Sequence, residues 1–517
     1  MNKKLITGII VILLLETAVI SSNGRATQEK SSLPVLELDG TILYVGGTGP
    51  NNYTTIQDAV DDAGDGDTIY VFDDSSPYYE NVVVDKSINL IGTDKHTTII
   101  DGSGSGNVVN ISADYVTIEG FTIQNAGDTY LLNWVHPSIG LYVFADAGVY
   151  VLSDYNHIQG NIIKDNPIHG VHIHDNSDHN VISDNVVTNI SDPTASVGIF
   201  LQFSSHNVIS GNTIINNSKH GIHLLWGCND NTISDNTITN NNCALEISGN
   251  WASIDNVITR NTIINNRNLG VYLYIQCFNT VISENVIINN NMVGLVLQQT
   301  CSGSSISNNT IANHDLGIIV EIFVDDVTIS DNVITNHSEN GIEIVNCADN
   351  CIITGNTIVN NNNGIYMREA DNNIFYENIF TDNQRGIDSR ATSGNLFHHN
   401  NFIDNGENIY DAGTNTWEYN YYDDYTGEDF DNDGIGDTPY DIPGGSNQDH
   451  YPLMYPWSGV SGDLDGDGDV DLSDLAQLLA NYGTTEGATY EDGDIDGDGD
   501  IDLNDLAALL ANYGYGL

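Results

Sequence analysis

The sequence predicts a mainly β protein, a parallel β-helix (solenoid) followed by a small α-helical domain that binds calcium. Three observations support this prediction. A nine-residue pattern such as VISDNVVTN recurs, mostly at intervals of 24 residues, through the middle of the chain. Each copy is followed by a second short run, such as GVHIH, in which apolar and polar residues alternate. The chain ends with two copies of an aspartate-rich stretch, GDLDGDGDVDLSDLAQLLANYG and GDIDGDGDIDLNDLAALLANYG.

The charge balance narrows the possible partners. The 517 residues carry a formal net charge of −58 with only 13 lysines and arginines. Nucleic acids and anionic membranes are bound through basic patches, so neither is expected as a partner. An acidic polysaccharide would be repelled unless divalent cations bridged it to the protein. The acidic background is equally explained by solubility in a saline medium.

The first 26 residues indicate export. Lys3 and Lys4 precede an apolar stretch from Leu5 to Ile20, as in a secretory signal peptide. No later segment is apolar enough to span a bilayer, so we expect a secreted mature protein, extracellular or attached to the cell surface. In that environment the six cysteines could form up to three disulfides. A ladder of buried thiols, including Cys277 and Cys301 in adjacent repeats, is the alternative.

The β-helix is predicted over residues 41–457, beginning with a cap. YTTIQDAVDDAGDGDTIYV reads as a short amphipathic helix that enters a strand, where it would cover the open edge of the first coil. NVVVDKSINLIG, TTIIDG and YVTIEGFTIQN read as the first coils. The aromatic segment between Asn125 and Gly148 lies outside the repeat and is predicted to be a loop beside the coils.

Each repeat is too small to bury its own apolar face, so stacked copies must share a core. The fifth position of the nine-residue pattern is an asparagine, which is expected either to adopt a left-handed backbone at a corner or to form an amide ladder between coils. These asparagines are Asn161, Asn185, Asn212, Asn236, Asn261, Asn285, Asn309, Asn332, Asn356, Asn378 and Asn400.

The second run of each repeat places polar and aromatic side chains on one outer face of the predicted β-helix. Side chains two and four places after the repeat glycine point outward if the apolar residues between them point inward. Stacking then aligns them into one stripe, with Trp226 and Trp251 just past two strand ends. The stripe comprises Tyr150, His172, His174, Phe200, Gln202, His223, Glu246, Tyr272, Tyr274, Gln298, Glu321, Glu343, Tyr366, Arg368, Asp388 and Arg390.

Aromatic rings beside carboxylates and imidazoles suit a sugar chain, whose C–H faces stack on rings while its hydroxyls form hydrogen bonds. The predicted catalytic residues are Glu246, His223 and His172, either for hydrolysis of an O-glycosidic bond or for elimination. A solvated sheet face without activity is the alternative. The predicted carbohydrate-binding residues are Tyr150, His174, Phe200, Trp226, Trp251, Tyr272 and Tyr274.

This repeat arrangement resembles the right-handed β-helix families of carbohydrate-active proteins and of NosD, the maturation factor of nitrous oxide reductase. The tail YYDDYTGEDFDNDGIGDTPYDIPGGSNQDHYPLMYP is similar to the stretch that closes the NosD-like repeat domain. The resemblance implies a long groove on one sheet. A copper site is not indicated, because the chain has four methionines and its histidines form no evident cluster in sequence.

The two closing copies match a calcium loop of EF-hand type. Such a loop places oxygen ligands at positions 1, 3, 5, 7, 9 and 12 with glycine at position 6, and Gly468 and Gly499 fit that position. A short apolar-periodic helix follows each loop. The predicted Ca²⁺ ligands are Asp463, Asp465, Asp467, Asp469, Asp471, Asp474, Asp494, Asp496, Asp498, Asp500, Asp502 and Asp505.

A third candidate loop lies in EDFDNDGIGDTPYD. Asp429, Asp431, Asp433 and Asp437 occupy ligand positions, but position twelve is Tyr440. The segment is either a further Ca²⁺ site or an acidic turn.

With aspartate at position twelve, one helix per loop and two copies, residues 461–517 resemble a type I dockerin domain. The resemblance implies a cohesin-like module on a scaffold or surface protein as the partner. The family's contact positions fall here on Leu472 and Ser473, and on Leu503 and Asn504. The helices lack the basic residue common near their ends in dockerins.

Together these features predict a secreted protein that binds a polysaccharide, with degradation of that polysaccharide as a candidate activity, and that is tethered through Ca²⁺. The competing prediction is a non-catalytic cell-surface or matrix protein, with the β-helix as an adhesin or spacer.

Overall fold

The structure, a computed structural model, describes residues 40–133, 142–430, 434–457, 462–465, 470–485, 488, 492–495 and 500–514. The coils form a right-handed parallel β-helix, which confirms the predicted fold of the repeat region. The chain divides into two compact units. The first comprises Met1–Val271 and Thr280–Ile288, and the second comprises Tyr272–Asn279 and Asn289–Leu517.

In the first unit each coil contributes one strand to each of three parallel sheets. The strands of sheet 1 are Ile42–Val45, Thr68–Val71, Asn89–Gly92, Thr117–Glu119, His157–Gln159, Val181–Ser183, Val208–Ser210, Thr232–Ser234, Val257–Thr259 and Val281–Ser283. Those of sheet 2 are Tyr78–Tyr79, Ile99–Asp101, Thr122–Gln124, Ile162–Lys164, Val186–Thr188, Thr213–Ile215, Thr237–Thr239, Thr262–Ile264 and Val286–Ile288. Those of sheet 3 are Val82–Val84, Val109–Ile111, Ala147–Val151, His169–His174, Val197–Gln202, His220–Leu225 and Cys243–Ser248. Ser253–Ile254 is a short additional strand.

The second unit repeats the three-sheet plan. Its sheet 1 contains Ser305–Ser307, Thr328–Ser330, Ile352–Thr354, Ile374–Tyr376, Ser393–His398, Thr414–Glu418, Tyr440–Asp441 and Gln448–Asp449. Its sheet 2 contains Thr310–Ala312, Val333–Thr335, Thr357–Val359, Ile379–Thr381, Asn401–Ile403 and Tyr421–Tyr422. Its sheet 3 contains Val293–Gln298, Leu316–Glu321, Asn340–Val345, Asn363–Arg368, Arg385–Arg390 and Glu407–Asp411, and the strand Leu269–Tyr274 ends in this unit. Cys277–Phe278 is a short additional strand.

The core of each unit is a column of identical apolar positions from successive coils. In sheet 1 of the first unit Ile182 pairs with Ile209, and Ile233 with Ile258, and all four are fully buried. Toward the end of the second unit the column becomes aromatic, with Phe397 stacked on Trp417 at 3.9 Å between ring centroids. The inward-facing residues of successive strands therefore build a continuous core, as the period-two pattern predicts.

The fifth-position asparagines form the predicted amide ladder and do not adopt the left-handed backbone. Asn236 donates from its side-chain amide to Oδ1 of Asn261, which in turn donates to Oδ1 of Asn285, both at 3.0 Å. The left-handed positions lie one residue before and four residues after the asparagine, at Arg260 (φ 54°) and Asn265 (φ 57°). The two roles foreseen for one asparagine thus fall on different residues of each corner.

The predicted cap helix is present as helix α1, Ile56–Asp62. The Oγ1 of Thr55 accepts a hydrogen bond from the backbone N–H of Asp58, an N-cap contact. Ile56, Ala59 and Val60 are buried, so the apolar face of the helix packs inward as predicted. A short 3₁₀ turn, Asp73–Ser75, follows the second strand.

The insertion after Asn125 is an antiparallel hairpin where a loop was predicted. Tyr130–Asn133 pairs with Tyr142–Ala145, and the residues between these strands lie outside the described structure.

The tail after the last coil closes the asparagine ladder with a carboxylate. Oδ2 of Asp449 accepts hydrogen bonds from the backbone and side-chain amides of Asn420 at 3.1 Å. It also accepts from the hydroxyl of Tyr422 at 3.0 Å, and Tyr422 is fully buried. The tail therefore satisfies the polar groups that an open end of the ladder would leave exposed.

Two further helices lie near the C-terminus, α2 at Leu472–Asn481 and α3 at Leu503–Asn512. Asp471 caps α2 and Asp502 caps α3, each in a reciprocal capping box with the aspartate three residues on. The helices share a small core that includes Leu478 and Leu509. The predicted domain limit between 457 and 461 falls largely on residues outside the described ones and stays a prediction.

Three further predictions concern export and redox state. The predicted signal peptide, residues 1–26, lies outside the described residues. In the described part of the chain no helix is long and apolar enough to cross a membrane. No disulfide joins the cysteines, all six of which are described, and five of them are buried.

Candidate functional site

The outward positions of sheet 3 in the first unit stack in register, as the repeat spacing predicts. Tyr150 pairs with His172, His172 with Phe200, Phe200 with His223, and His223 with Glu246. The predicted stripe therefore exists as a row of neighbouring side chains. We call these five residues the first-unit row.

This row is covered, so the prediction of an open aromatic surface is wrong here. Tyr150, His172, Phe200 and His223 are each at most 9% exposed. Phe200 and Trp226 pack with Ala145 of the inserted hairpin, and Ile168, Ala195 and Val197 complete this cluster. The side chains leave the coil in the predicted direction, but a second layer lies over them. His174 is buried with the row as well.

Trp226 and Trp251 meet at the edge of this covered region. Trp226 is buried, whereas Trp251 is half-buried, and their ring centroids are 6.1 Å apart. Phe203 contacts both rings, at 5.6 and 5.7 Å between centroids. Trp251 is therefore the more accessible of the two predicted sugar-binding tryptophans.

Glu246 lies beside two histidines at the end of the row. Its Oε1 is 3.6 Å from Nε2 of His223, and its Oε2 is 3.4 Å from Nδ1 of His220. Nε2 of His223 also lies 2.9 Å from Oγ of Ser248. Two of the predicted catalytic residues, Glu246 and His223, are thus brought together. His172 is not, because the ring of Phe200 lies between it and His223.

His220 and Cys243 belong to this cluster and were missed by sequence reasoning. His220, Cys243 and Glu246 each offer one ligand atom, and these atoms lie within 4.8 Å of one another. His220 pairs directly with Cys243 in the sheet, because both precede the small residue that begins the repeat strand. That shared position, one coil apart, is the sequence signal that could have identified them.

Burial controls the protonation of this cluster. Burial lowers the pKa of the His220 imidazole to about 3, with a further decrease from His223 and an opposing effect of Glu246. Burial likewise lowers the pKa of His223 to about 3. Burial raises the pKa of the Cys243 thiol well above its usual value. At neutral pH both imidazoles are neutral, which is the form that accepts a proton or ligates a metal.

In the second unit the outer face of sheet 3 carries half-buried polar and aromatic side chains, which we call the second-unit row. Its members are Tyr272, Tyr274, Gln298, Glu321, Glu343 and Tyr366. Tyr272 and Tyr274 stack at 5.3 Å between ring centroids. The Tyr272 hydroxyl contacts Oε1 of Gln298, whose amide donates to Glu321.

Glu343 pairs with Tyr366 in the sheet and is the titratable group of interest in this row. Burial raises the pKa of the Glu343 carboxyl, a hydrogen bond from Asn340 opposes that rise, and the charges of Glu321 and Glu339 add to it. A carboxyl with a raised pKa beside a second carboxylate is an arrangement able to donate and accept a proton.

The row continues into a cluster of charges. Arg385 and Arg390 both contact the buried Asp388, and both guanidinium groups lie over the ring of Tyr410 at 5.2 and 5.5 Å. Arg385 also pairs with Glu407. These two arginines are among the few basic side chains of this acidic protein.

The C-terminal loops bring together several predicted calcium ligands. Asp463, Asp465 and Asp474 offer oxygens within 4.8 Å of one another in the first loop. Asp500, Asp502 and Asp505 do so in the second. Asp494, the first predicted ligand of the second loop, is buried, and Asp471 caps helix α2. The remaining predicted ligands lie outside the described residues: Asp467, Asp469, Asp496 and Asp498.

The position-twelve aspartates, Asp474 and Asp505, also accept hydrogen bonds from the loop backbone. Oδ1 of Asp474 accepts from the backbone N–H of Leu464 at 2.6 Å, and Oδ2 accepts from that of Asp471 at 2.7 Å. Asp505 contacts Ile495 and Asp502 in the same way, at 2.7 and 2.8 Å. An all-oxygen donor set with fully buried carboxylates, as at Asp474, fits a hard cation such as Ca²⁺.

The third candidate loop is described only in part, because Asp431 and Asp433 lie outside the described residues. Asp429 accepts from the backbone N–H of Gly434 at 3.1 Å, and Asp437 accepts from that of Phe430 at 2.7 Å. These contacts are those of an acidic turn, and Ca²⁺ binding here stays a prediction.

The predicted partner-binding residues lie on exposed positions. Leu472 and Leu503 are both 67% exposed, and Ser473 and Asn504 beside them are exposed too. The two loops therefore present matching apolar side chains to solvent.

Comparison with known proteins identifies the family. The sequence matches the family described as periplasmic copper-binding protein (NosD) over residues 57–294, 224–325 and 255–427. No curated protein matches the chain. Among solved structures, an alginate lyase from Paenibacillus sp. FPU-7 is 13% identical with a TM-score of 0.36, covering 62% of this chain and 94% of that one.

Two further solved structures match parts of the chain. The catalytic unit of a GH87 α-1,3-glucanase from Streptomyces thermodiastaticus is 14% identical with a TM-score of 0.42, covering 72% of this chain and 68% of that one. The A-module of a mannuronan C-5 epimerase from Azotobacter vinelandii is 16% identical with a TM-score of 0.43, covering 68% of this chain and 99% of that one. The family match extends over more than half of the sequence, and the chain therefore belongs to the NosD family.

Proposed function

We propose that the protein is an exported β-helix that binds polysaccharide along the second-unit row. The observation that carries this proposal is the set of half-buried rings and carboxyls between Tyr272 and Tyr366, which share this face with the apolar Val296 and Ile319. Aromatic rings supply a stacking surface for the C–H faces of sugars, and Gln298 and Glu321 supply hydrogen bonds to hydroxyls. Of the residues that the sequence predicted to bind carbohydrate, Tyr272 and Tyr274 lie on this row.

The first-unit row is the weaker candidate for a sugar chain. Tyr150, Phe200 and His174 are buried, and Phe200 packs in one cluster with Ala145 at the end of the inserted hairpin, so these rings present little surface to a polysaccharide. We therefore assign binding to the second-unit row and keep the half-buried Trp251 as a separate contact.

Hydrolysis of an O-glycosidic bond is a second candidate function, favoured by Glu343. Glycosidases pair a carboxylic acid of raised pKa with a second carboxylate. Glu343 has the raised pKa, and Glu321 is the neighbouring carboxylate. Glu246 with His223 is the competing acid–base pair in the first unit.

Glycan-array binding and product release from a polysaccharide panel test both functions. Tyr272→Ala and Tyr366→Ala should each weaken binding at least about tenfold, equivalent to ~1.4 kcal/mol. Tyr115→Ala is the matched control, because Tyr115 is an exposed ring at 62% on another face. Equal binding by all three variants would contradict the proposed site.

Catalysis is tested separately with Glu343→Gln, which should retain binding and lose product release. Retained activity in Glu343→Gln together with its loss in Glu246→Gln would move the active site to the first unit. Binding without any product release would favour the alternative of a non-catalytic adhesin or spacer.

We propose further that the C-terminal loops bind Ca²⁺ and that the dockerin-like module formed by residues 461–517 tethers the protein to a cohesin-like partner. The grouped carboxylates Asp463, Asp465 and Asp474 and the exposed Leu472 and Leu503 support this. An exported protein attached outside the cell would then hold the β-helix against its substrate.

The family description also names copper. The nitrogen, sulfur and oxygen donors of His220, Cys243 and Glu246 fit a transition metal of borderline softness, a class that includes Cu²⁺ and Zn²⁺. The histidines form no evident cluster along the sequence, but the fold brings His220 beside Cys243 and Glu246, which are separated from it in the chain.

A further inference from the structure

The cluster around Glu246 holds three donors of different elements in one small volume. His220 contributes an imidazole nitrogen, Cys243 a thiol sulfur and Glu246 a carboxylate oxygen, all within 4.8 Å of one another. His220 and Cys243 are 5% and 3% exposed, and Glu246 is half-buried. His220 lies on one strand and Cys243 and Glu246 on the neighbouring strand of the same sheet, so the backbone fixes their spacing.

We propose that His220, Cys243 and Glu246 form a binding site for one divalent transition metal ion of the Zn²⁺ class. Zn²⁺ binds Cys sulfur at about 2.3 Å and His nitrogen and carboxylate oxygen at about 2.0 to 2.2 Å. Donors within 4.8 Å of one another reach these distances around a central ion through small side-chain rotations. Hard ions such as Ca²⁺ and Mg²⁺ are disfavoured, because two of the three donors are not oxygens.

A second observation independent of this spacing points to a ligand. Nδ1 of His220 is buried and forms no hydrogen bond among the described residues, although it lies 3.4 Å from Oε2 of Glu246. A buried polar atom without a hydrogen bond is unfavourable, and a metal between the imidazole and the carboxylate would satisfy it.

The residues around the proposed site are compatible with the charge and the coordination number of a divalent ion. On metal binding the Cys243 thiol would release its proton to solvent, and the thiolate and the carboxylate together would neutralise a divalent cation, even though Lys219 lies close to the histidines. His223 is 3.6 Å from Glu246 and is held by Ser248, so it can orient the carboxylate from outside the ligand set. Three protein ligands leave a fourth position open to water or a substrate atom.

Titration of the full-length protein with Co²⁺ tests the site. Ca²⁺ is kept in excess to occupy the all-oxygen loops, which cannot produce a thiolate signal. We expect one equivalent of Co²⁺ to give a sulfur-to-cobalt charge-transfer band and the visible absorption of a tetrahedral ion. One equivalent of Zn²⁺ should abolish both signals.

Variants assign the signal to residues. Cys243→Ser should lose the charge-transfer band and bind Zn²⁺ more weakly by over about 100-fold, since even changes outside the ligand set cost 10–100-fold. Cys228→Ser, a fully buried cysteine in the next loop, and Cys347→Ser, the exposed one, should retain the band. Circular dichroism verifies that each variant is folded.

If Cys243→Ser does not fold, Glu246→Gln and His220→Asn supply the same test, with a shifted visible spectrum and at least about tenfold weaker binding expected for each. The absence of a stoichiometric band in the wild type, or its persistence in Cys243→Ser, would overturn the site. Glycan binding on the second-unit row does not depend on this result, so failure of either proposal is recognised separately.

Discussion

At the residue scale, each corner of the β-helix depends on one buried amide. Asn261 accepts at Oδ1 from both the backbone and the side-chain amide of Asn236, at 3.0 Å each. Its own amide donates to the carbonyls of Ile233 and Thr259 and to Oδ1 of Asn285. One side chain thereby satisfies the turn of its own coil and joins the coils on either side.

Replacing Asn261 should lower the free energy of unfolding more than replacing Asn265, the asparagine four residues further along the chain. Asn261→Ala would orphan several buried polar groups at about 1–3 kcal/mol each, so we expect a loss of at least ~3 kcal/mol in the free energy of unfolding. Asn265→Gly is the matched control, because Asn265 is exposed and glycine adopts its positive φ readily. It should stay within about 0.5 kcal/mol of wild type in denaturant unfolding. Similar losses in both variants would contradict the ladder's importance.

Two histidines interrupt another ladder of buried asparagines in the second unit. Nδ1 of His337 accepts from the backbone N–H of His314 at 3.3 Å, and the backbone N–H of His337 donates to Oδ1 of Asn361 at 2.9 Å. Burial lowers the pKa of His314 to about 3 and that of His337 to about 4. Both imidazoles therefore stay neutral in the folded protein at pH values where the unfolded chain takes up protons.

Because His314 and His337 occupy positions that are asparagines in other coils, the free energy of unfolding should depend on pH in a defined window. Both folded pKa values lie below the unfolded value of 6.5, so no stability is lost above pH 6.5 and a progressive loss follows as the pH falls toward 4. At pH 4.5 the two histidines should cost roughly 3 to 5 kcal/mol. A His314→Asn/His337→Asn variant, compared with wild type by denaturant unfolding across pH, should remove that slope. An unchanged slope would show that the pH dependence arises from groups other than these two histidines.

At the element scale, the sequence predicts the strands well and their covering layer poorly. The alternation in GVHIH correctly indicates which side chains point outward, and the 24-residue spacing correctly aligns Tyr150 with His172 and Phe200. Neither pattern predicts whether the outward-facing side chains are exposed to solvent or covered by other parts of the protein. The inserted hairpin has no counterpart in the repeat, so nothing in its sequence reveals that its end packs on Phe200.

The metal-ligand cluster illustrates the same limit. His220 and Cys243 are 23 residues apart, and their shared position before a small residue, Gly221 or Ala244, does not by itself mark them as ligands. Only the parallel register places them opposite each other. The aspartate-rich C-terminal loops are the reverse case, because their carboxylates are close in sequence, and the spacing alone predicts that Asp463, Asp465 and Asp474 meet.

Helix α2 should depend on calcium through the position-twelve aspartate. Asp474 closes the capping box with Asp471 and groups with Asp463 and Asp465, so Asp474→Ala removes both a cap and a ligand. We expect calorimetric Ca²⁺ affinity of the first loop to fall by more than about tenfold and far-ultraviolet helicity to decrease. Ser473→Ala, an exposed change in the same turn, should leave both unchanged. Equal Ca²⁺ binding by the two variants, or a wild type that gains no helicity with Ca²⁺, would contradict this prediction.

At the scale of the whole molecule, the dominant property is the charge of −58. Such a charge repels polyanions over the Debye length, which is about 10 Å at 0.1 M salt and about 3 Å at 1 M. The arginines at 385 and 390 do not offset it, because both are already paired with Asp388. Electrostatics therefore favours neutral glycans over polyuronates at low ionic strength.

The salt concentration should consequently affect the affinity of the second-unit row for charged glycans and for neutral glycans differently. Affinity for a polyuronate should rise as NaCl screens the repulsion and rise further with Ca²⁺, whereas affinity for a neutral glucan should change by less than about twofold. Binding isotherms for both polymers across a salt series, with Tyr366→Ala as the control for binding outside the row, provide the measurement. If polyuronate affinity instead fell with salt, a local basic patch would outweigh the net charge. Arg390→Gln, which removes the half-exposed guanidinium beside Asp388, would then abolish that dependence.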